Sequence, residues 1–198
     1  MIRKLSSAIL KRWGSPSAKQ KIWDSEYKTG KWDYLNGTPN AEVRDPIYEF
    51  LESYSAGGSI LDLGCGSGAT AFEMRNVYNT YTGVDVSEVA IEGARRAALA
   101  TGERAAQLDF AVSDIFTFEP DHKFSVILFR ESIYYVPQHK IKAMLERYRS
   151  HLETDGVIMV RLCDVRKYKS IINIMTSDFK GREIFASPNA GTSIFVCS

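Results

Sequence analysis

Apolar residues along the chain fall into two alternating rhythms, short β-rich runs and longer segments in which they recur every three to four positions. The short runs are Ser59 to Leu63 (SILDL), Tyr81 to Val86 (YTGVDV), Leu108 to Val112 (LDFAV), Phe124 to Phe129 (FSVILF) and Val157 to Leu162 (VIMVRL). They are apolar without strict alternation, as strands covered on both faces are, so a largely parallel sheet is expected. Helices are predicted between them over Ala69 to Tyr78, Glu88 to Ala100 with Ser87 as its cap, and Lys167 to Met175. Another is predicted to open at Pro137, with an inward stripe of Ile141, Met144, Leu145, Tyr148 and Leu152, and Gly156 past its end. In the tail, Arg182 to Ser187 and Thr192 to Cys197 are β-like runs around Pro-Asn-Ala-Gly, which predicts a closing hairpin. The pattern therefore predicts an α/β fold whose seven-stranded sheet is mostly parallel, with helices on both faces and one antiparallel strand from that hairpin.

Ahead of the first strand, Pro46 to Tyr54 reads as a helix with Ile47, Phe50 and Leu51 inward, preceded by Trp23, Tyr27, Trp32 and Tyr34. These aromatics either plug the sheet edge or cap a pocket, and residues 1–55 are expected to form a helical cap on a core of 56–198 within one domain. Residues 1–31 hold eight basic and two acidic side chains although the 198-residue chain has a net charge of only +1, so a mildly acidic body follows a basic front end. Such a balance gives no general reason to bind DNA. Ile2, Leu5, Ile9 and Trp13 lie at helical spacing with Lys4, Lys11 and Arg12 off that stripe, which suggests either a frayed terminus or a short membrane-surface helix. No apolar run is long enough to span a bilayer. Cys65, Cys163 and Cys197 form no CxxC pair and have no His-rich partner segment, so neither disulfides nor a metal site is expected, and a cytoplasmic location fits.

The strongest local signal is ILDLGCGSGAT at 60–70, a strand running directly into glycines and then a helix. No Lys-Ser or Lys-Thr follows, so it is not a P-loop. Gly64, Gly66 and Ala69 do satisfy the relaxed dinucleotide pattern, with Asp85 lying 21 residues after Gly64, so a nicotinamide-dependent dehydrogenase must be weighed. Asp62, two residues before Gly64, opposes a pyrophosphate by charge and favours a cation instead. S-adenosylmethionine carries a sulfonium and an ammonium beside an adenosine, and Asp85 could accept both ribose hydroxyl protons.

At these residues the chain resembles the class I S-adenosylmethionine-dependent methyltransferases. LDLGCGSG (61–68) is similar to their first motif, GVDVS (83–87) to their second and SDI (113–115) to the adenine-side segment. The resemblance implies a Rossmann-like sheet and S-adenosylmethionine as cofactor, with S-adenosylhomocysteine as product. It places Asp62, Gly64, Gly66 and Gly68 around the methionyl part, with Cys65 as a loop spacer. Asp85 and Val86 fall at the ribose, Asp114 and Ile115 at the adenine, and Arg130 at the loop floor, while Trp32 and Arg44 are assigned to the cofactor side.

Acceptor groups in open α/β folds lie beyond the carboxyl ends of strands, which sorts the remaining candidates. His122 and His151 are expected on the wrong edge and His139, at a helix start, near the right one. Glu131 in FRESIYYVP could take an acceptor proton, hold a ligand ammonium or pair with Arg130 or Arg44, and Tyr27 is a further catalytic candidate. The segment lacks the Asn/Asp-Pro-Pro-aromatic motif of base-amino methylation. WDSEYKTGKWDYL (23–35) and ESIYYV (131–136) are similar to small bacterial sugar and glycan methyltransferases, including nodulation-factor N-methyltransferases. The expected partner is a small-molecule or saccharide acceptor taking the methyl on oxygen or nitrogen, with the protein monomeric or homodimeric. Protein or RNA methylation, using the basic front end, and a non-catalytic binding module are the alternatives.

Overall fold

A computed structural model describes residues 2–32, 45–75, 78–187 and 191–198. Seven strands form one sheet: β1 (Ser59–Leu63), β2 (Thr80–Asp85), β3 (Leu108–Val112), β4 (Phe124–Arg130), β5 (Leu152–Leu162), β6 (Arg182–Ala186) and β7 (Ser193–Cys197). Their order is β3-β2-β1-β4-β5-β7-β6, and β7 runs antiparallel to both of its neighbours while the other pairings are parallel. The expected architecture is thus present. Strand order reverses between β1 and β4, and at that switch point the connections leave the carboxyl edge in opposite directions and open a crevice.

Two apolar layers cover the sheet. On one face α6 (Gln138–Arg149) buries Ile141, Met144, Leu145 and Tyr148 against β4 and β5, on the predicted stripe. On the other, α3 (Ile47–Tyr54) and α5 (Glu88–Leu99) bury Ile47, Tyr48, Leu51, Ile91 and Ala94. In α3 it is Tyr48, not Phe50, that is fully buried. Ser87 caps α5 as predicted, its hydroxyl accepting the Ala90 N–H at 3.2 Å.

Three element boundaries differ from expectation, each for a tertiary reason. The helix after the glycine turn, α4, is only Ala69–Glu73, because the Arg75 N–H is taken by the buried Glu52 carboxylate at 2.7 Å. Leu152 belongs to β5, paired with Phe124, and Gly156 lies inside that strand beside an irregularity in the pairing. A Cβ there would stand 2.7 Å from the Phe124 carbonyl oxygen, so Gly156 is a close-approach residue, not a helix stop. The predicted helix to Met175 is α7 (Lys169–Asn173) followed by a wider turn over Ile174–Asp178.

The front end supplies α1 (Ile2–Trp13) and α2 (Pro16–Lys28), the latter capped by Ser15. Both lie over the carboxyl ends of the strands. No described helix is long and apolar enough to cross a membrane.

Candidate active site

The carboxyl edge opens into a cavity of about 390 Å³, lined from the core by Gly64, Asp85, Val86, Asp114, Ile115, Arg130, Glu131, Ser132 and Arg161. Such a volume suits a small-molecule ligand. From the front end the lining residues are Lys11, Lys19, Trp23, Tyr27 and Trp32, and the segment after β4 adds Tyr134, Tyr135 and Val136. Of the two readings of the aromatic front end, the cap over a pocket describes Trp23, Tyr27 and Trp32. Tyr34 and Arg44 lie outside the described residues. A second cavity of about 410 Å³, at Thr80, Gln107, His122 and Phe124, lies at the other edge of the sheet, away from the glycine turn.

The turn is built from backbone. Gly64, Gly66 and Gly68 all have positive φ (87°, 57° and 83°), and the Gly64 and Cys65 N–H groups both donate to the Val84 carbonyl. A Cβ on Gly64 would stand 2.5 Å from Ser132 Cβ, and one on Gly66 2.5 Å from the Tyr27 hydroxyl. Asp85 fastens the turn to β2: its Oδ2 accepts the Gly66 N–H and its Oδ1 the Ser87 N–H, both at 2.9 Å. Burial raises the Asp85 pKa to about 6, against the opposing pull of those two N–H groups.

Asp62 lies beneath the turn, away from the lining. Its Oδ2 accepts the Tyr81 hydroxyl, Oδ1 has no hydrogen-bond partner among the described residues, and burial pushes its pKa up while the Arg130 charge pulls it down. Cys65 is buried beside Gly83, with its thiol pushed well up by burial. Of the turn residues, Gly64 alone is in the described lining, while Cys65, Gly66 and Gly68 stand behind it. Asp114 accepts the Phe116 N–H at 2.8 Å, shaping the turn after β3, and pairs with Lys19 of α2 at 2.6 Å. Arg130 is held by Tyr48, Thr70 and Asp45.

Glu131 sits at φ 58°, a left-handed conformation that costs energy for a residue with a side chain. Its carboxylate pairs with Arg161, not Arg130, and also accepts the Cys163 N–H at 3.1 Å and the Tyr134 hydroxyl at 3.2 Å. Arg161 reaches on to Asp45 at 3.1 Å. His139, at the start of α6, stacks on Trp13 with ring centroids 5.5 Å apart and is not among the lining residues. The Tyr27 phenol lines the cavity with its pKa pushed up by burial and by the nearby Asp85 charge.

Sequence reasoning missed Lys11, Lys19, Ser132, Arg161 and Cys163 as lining residues, and Asp24 as the group that docks α2 on the core. Asp24 Oδ1 accepts the Ser87 hydroxyl at 2.7 Å and the Val89 N–H at 3.2 Å. A signal existed for part of this set: Lys19, Trp23 and Tyr27 follow each other at four-residue spacing, one face of a helix.

The profile of the family described as "Methyltransferase domain" matches residues 54–189, spanning the glycine turn, the cavity floor and the sheet to β6. The chain belongs to this family. A curated relative, the 2-heptyl-1-hydroxyquinolin-4(1H)-one methyltransferase of Mycobacteroides abscessus, is 30% identical over 113 residues, 55% of this chain. That stretch is 49% of the relative, so the match spans about half its length. Among solved structures, magnesium protoporphyrin IX methyltransferase from Synechocystis PCC 6803 with bound S-adenosylmethionine superposes with a TM-score of 0.68 at 16% identity, over 92% of this chain and 97% of that one. The N-methyltransferase NodS from Bradyrhizobium japonicum WM9, in complex with S-adenosylhomocysteine, gives 0.60 at 18% identity, over 88% and 99%. These likenesses establish a shared class I methyltransferase fold.

Proposed function

We propose that this methyltransferase-family protein binds S-adenosylmethionine and moves its methyl group to an oxygen or nitrogen of a small polar molecule. The observation that carries this reading is the pairing of the glycine turn with Asp85, a buried carboxylate that faces the cavity while fastening the turn. The residues present fit the cofactor. Asp85 keeps lone pairs for two ribose hydroxyls after accepting its two N–H bonds, because an ionised carboxylate offers about four acceptor positions. Gly64 and Val86 bring main chain to the ligand, and Asp114 and Ile115 form the adenine side.

The bound cofactor supplies an electrophilic methyl carbon on a sulfonium. For an in-line displacement the protein has to align the acceptor, keep water out and let one proton leave. Trp23, Tyr27, Trp32 and Tyr135 roof the cavity and do the first two. Glu131, with both oxygens engaged by Arg161, Tyr134 and the Cys163 N–H, works as an anchor of the acceptor loop more readily than as a proton acceptor. Apolar ring faces with polar tips fit the apolar face of a saccharide. They fit a planar heteroaromatic ring better, because stacking can engage both faces, and the hydroxyquinolone relative acts on such a ring.

The test uses the purified protein, isotopically labelled methyl donor and fractionated metabolite extract. Labelled small-molecule product is expected. Tight S-adenosylhomocysteine binding with no transfer to any fraction would assign a non-catalytic module, and a melting shift from a nicotinamide cofactor alone would overturn the cofactor reading.

A further inference from the structure

In the second half of α1, Ile9 and Trp13 turn outward and Lys11 turns inward. Ile9 and Trp13 are 54% and 59% exposed, whereas Lys11 is 7% exposed and lines the cavity. Ile9 and Trp13 belong to the apolar stripe read from the sequence, and Lys11 lies off it. The Lys11 ammonium donates to Glu26 at 2.6 Å and stands 3.7 Å from the centre of the Trp23 ring, with Trp32 at 5.5 Å and Tyr135 at 5.8 Å. Glu26 is shared: Lys31 pairs with Oε1 at 2.7 Å, and the Trp32 indole N–H donates at 3.1 Å to Oε2, the oxygen Lys11 also uses. Among the described residues, two cations therefore flank one carboxylate at the roof of the cavity. Glu26 is the one hydrogen-bond acceptor of Lys11 among the described residues, and the ammonium otherwise lies beside the rings at the cavity wall.

We propose that Lys11 selects the acceptor by holding the ionised oxygen of a planar aromatic hydroxyl compound, a phenol or a hydroxylated heteroaromatic ring, in the space bounded by Trp23, Trp32 and Tyr135. The proposal rests on the methyl-transfer reading above and names its substrate class. A cation within a few ångströms favours the ionised form of a hydroxyl, which is also its nucleophilic form. Burial lowers the Lys11 pKa more than Glu26 raises it, so an anionic ligand relieves a charge the fold leaves under-compensated. An amine acceptor in its ammonium form would meet like charge at the same place. In the transfer, the hydroxyl proton leaves to solvent on binding, the oxygen lone pair forms the new oxygen–carbon bond, and the carbon–sulfur bond breaks with its pair remaining on sulfur. Lys11 stays protonated throughout. Among the described residues, the charged and titratable groups facing it are Glu26 and Lys31 from the cap and the Tyr135 phenol from the segment after β4, with Arg12 beside it on its own helix donating to the Val136 carbonyl.

The experiment titrates 4-nitrophenol and 4-hydroxyquinoline, with glucosamine as contrast, into the full chain saturated with S-adenosylhomocysteine. At a pH where free 4-nitrophenol is mostly protonated, the bound probe is expected to show the phenolate absorption band. Lys11→Met should weaken its binding at least tenfold with S-adenosylhomocysteine affinity within twofold of wild type, and Lys11→Arg should recover most of the loss. The spectral reading on the wild type does not depend on any variant folding. Binding of the nitrophenol in its protonated form, no binding of either aromatic probe, preference for glucosamine, or a Lys11→Met protein that binds the probes as wild type does would each overturn the assignment. Failure of S-adenosylhomocysteine itself to bind would overturn the methyl-transfer reading instead, and the assignment of Lys11 with it.

Discussion

Where the cavity meets the ends of β1 and β2, its wall is main chain fixed by a buried carboxylate; where it meets α1 and α2, its wall is side chains fixed by ion pairs and rings. The first wall is held by bonds between neighbouring strands, such as the two N–H donations to Val84 and the Gly66–Asp85 contact. The second hangs on a few long-range ties, chiefly Lys19 to Asp114 and Asp24 to Ser87. A backbone site tolerates few substitutions but can be reused for one constant ligand, whereas a side-chain roof can be rebuilt around a different ligand without disturbing the sheet. In the proposed function, that division assigns the cofactor to one half of the cavity and the choice of acceptor to the other.

The sharpest way to break the contrast is Gly66→Val. A β-branched side chain at φ 57°, colliding with Tyr27, should reduce S-adenosylhomocysteine affinity more than about 100-fold, since both strain and lost turn geometry act together. Calorimetry on protein with a native circular dichroism spectrum checks this. Next in size, Asp85→Ala should cost roughly 1.5–3 kcal/mol of cofactor affinity, the range of hydrogen bonds to a charged group. Unchanged affinity would make Asp85 a fastener of the turn and nothing more.

Asp85 also predicts a pH dependence. Its folded pKa, about 6, lies above its ordinary value of 3.8, so ionising it in the empty site costs stability as pH rises from about 4 through 6. A ligand that donates hydroxyl protons to the carboxylate prefers the ionised form, so affinity should fall by up to about tenfold per pH unit below 6. Titrations between pH 5 and 7.5 test this, and Asp85→Asn should flatten the profile.

Smaller effects come from residues at the acceptor end. Glu131→Gln should weaken the pairing with Arg161 and lower the melting temperature by roughly 2–8 °C, the shift for about 1–2 kcal/mol in a chain of this size. Cofactor affinity should stay within twofold, and a fall in turnover of about 10² or more with stability intact would restore Glu131 as a proton acceptor. His139→Ala loses one stack on an exposed Trp13 and should change stability by less than about 0.5 kcal/mol and turnover by less than twofold. A larger kinetic loss would return His139 to the reaction.

All seven strands and the glycine turn could be read from the sequence because the signals are local. A run such as SILDL followed by glycines fixes strand and turn within ten residues, and Ser87 ahead of an acidic first turn fixes the start of α5. Asp85 and Asp114 were legible for the same reason, the one closing β2 and the other lying two residues past β3. The early stop of α4 was not, because the group that ends it, Glu52, comes from another helix.

Periodicity tells which residues share a face of a helix but not what that face meets. The sequence therefore determined the sheet, its carboxyl-edge turn and the carboxylates beside it. Only tertiary structure decided that α1 buries Lys11 instead of Trp13, that Lys19 crosses 95 positions to reach Asp114, and that Glu131 answers to Arg161 instead of Arg130. The reason is energetic: a basic side chain goes inside only where an opposite charge and ring faces already wait to replace its water, and those partners lie on elements distant in the chain.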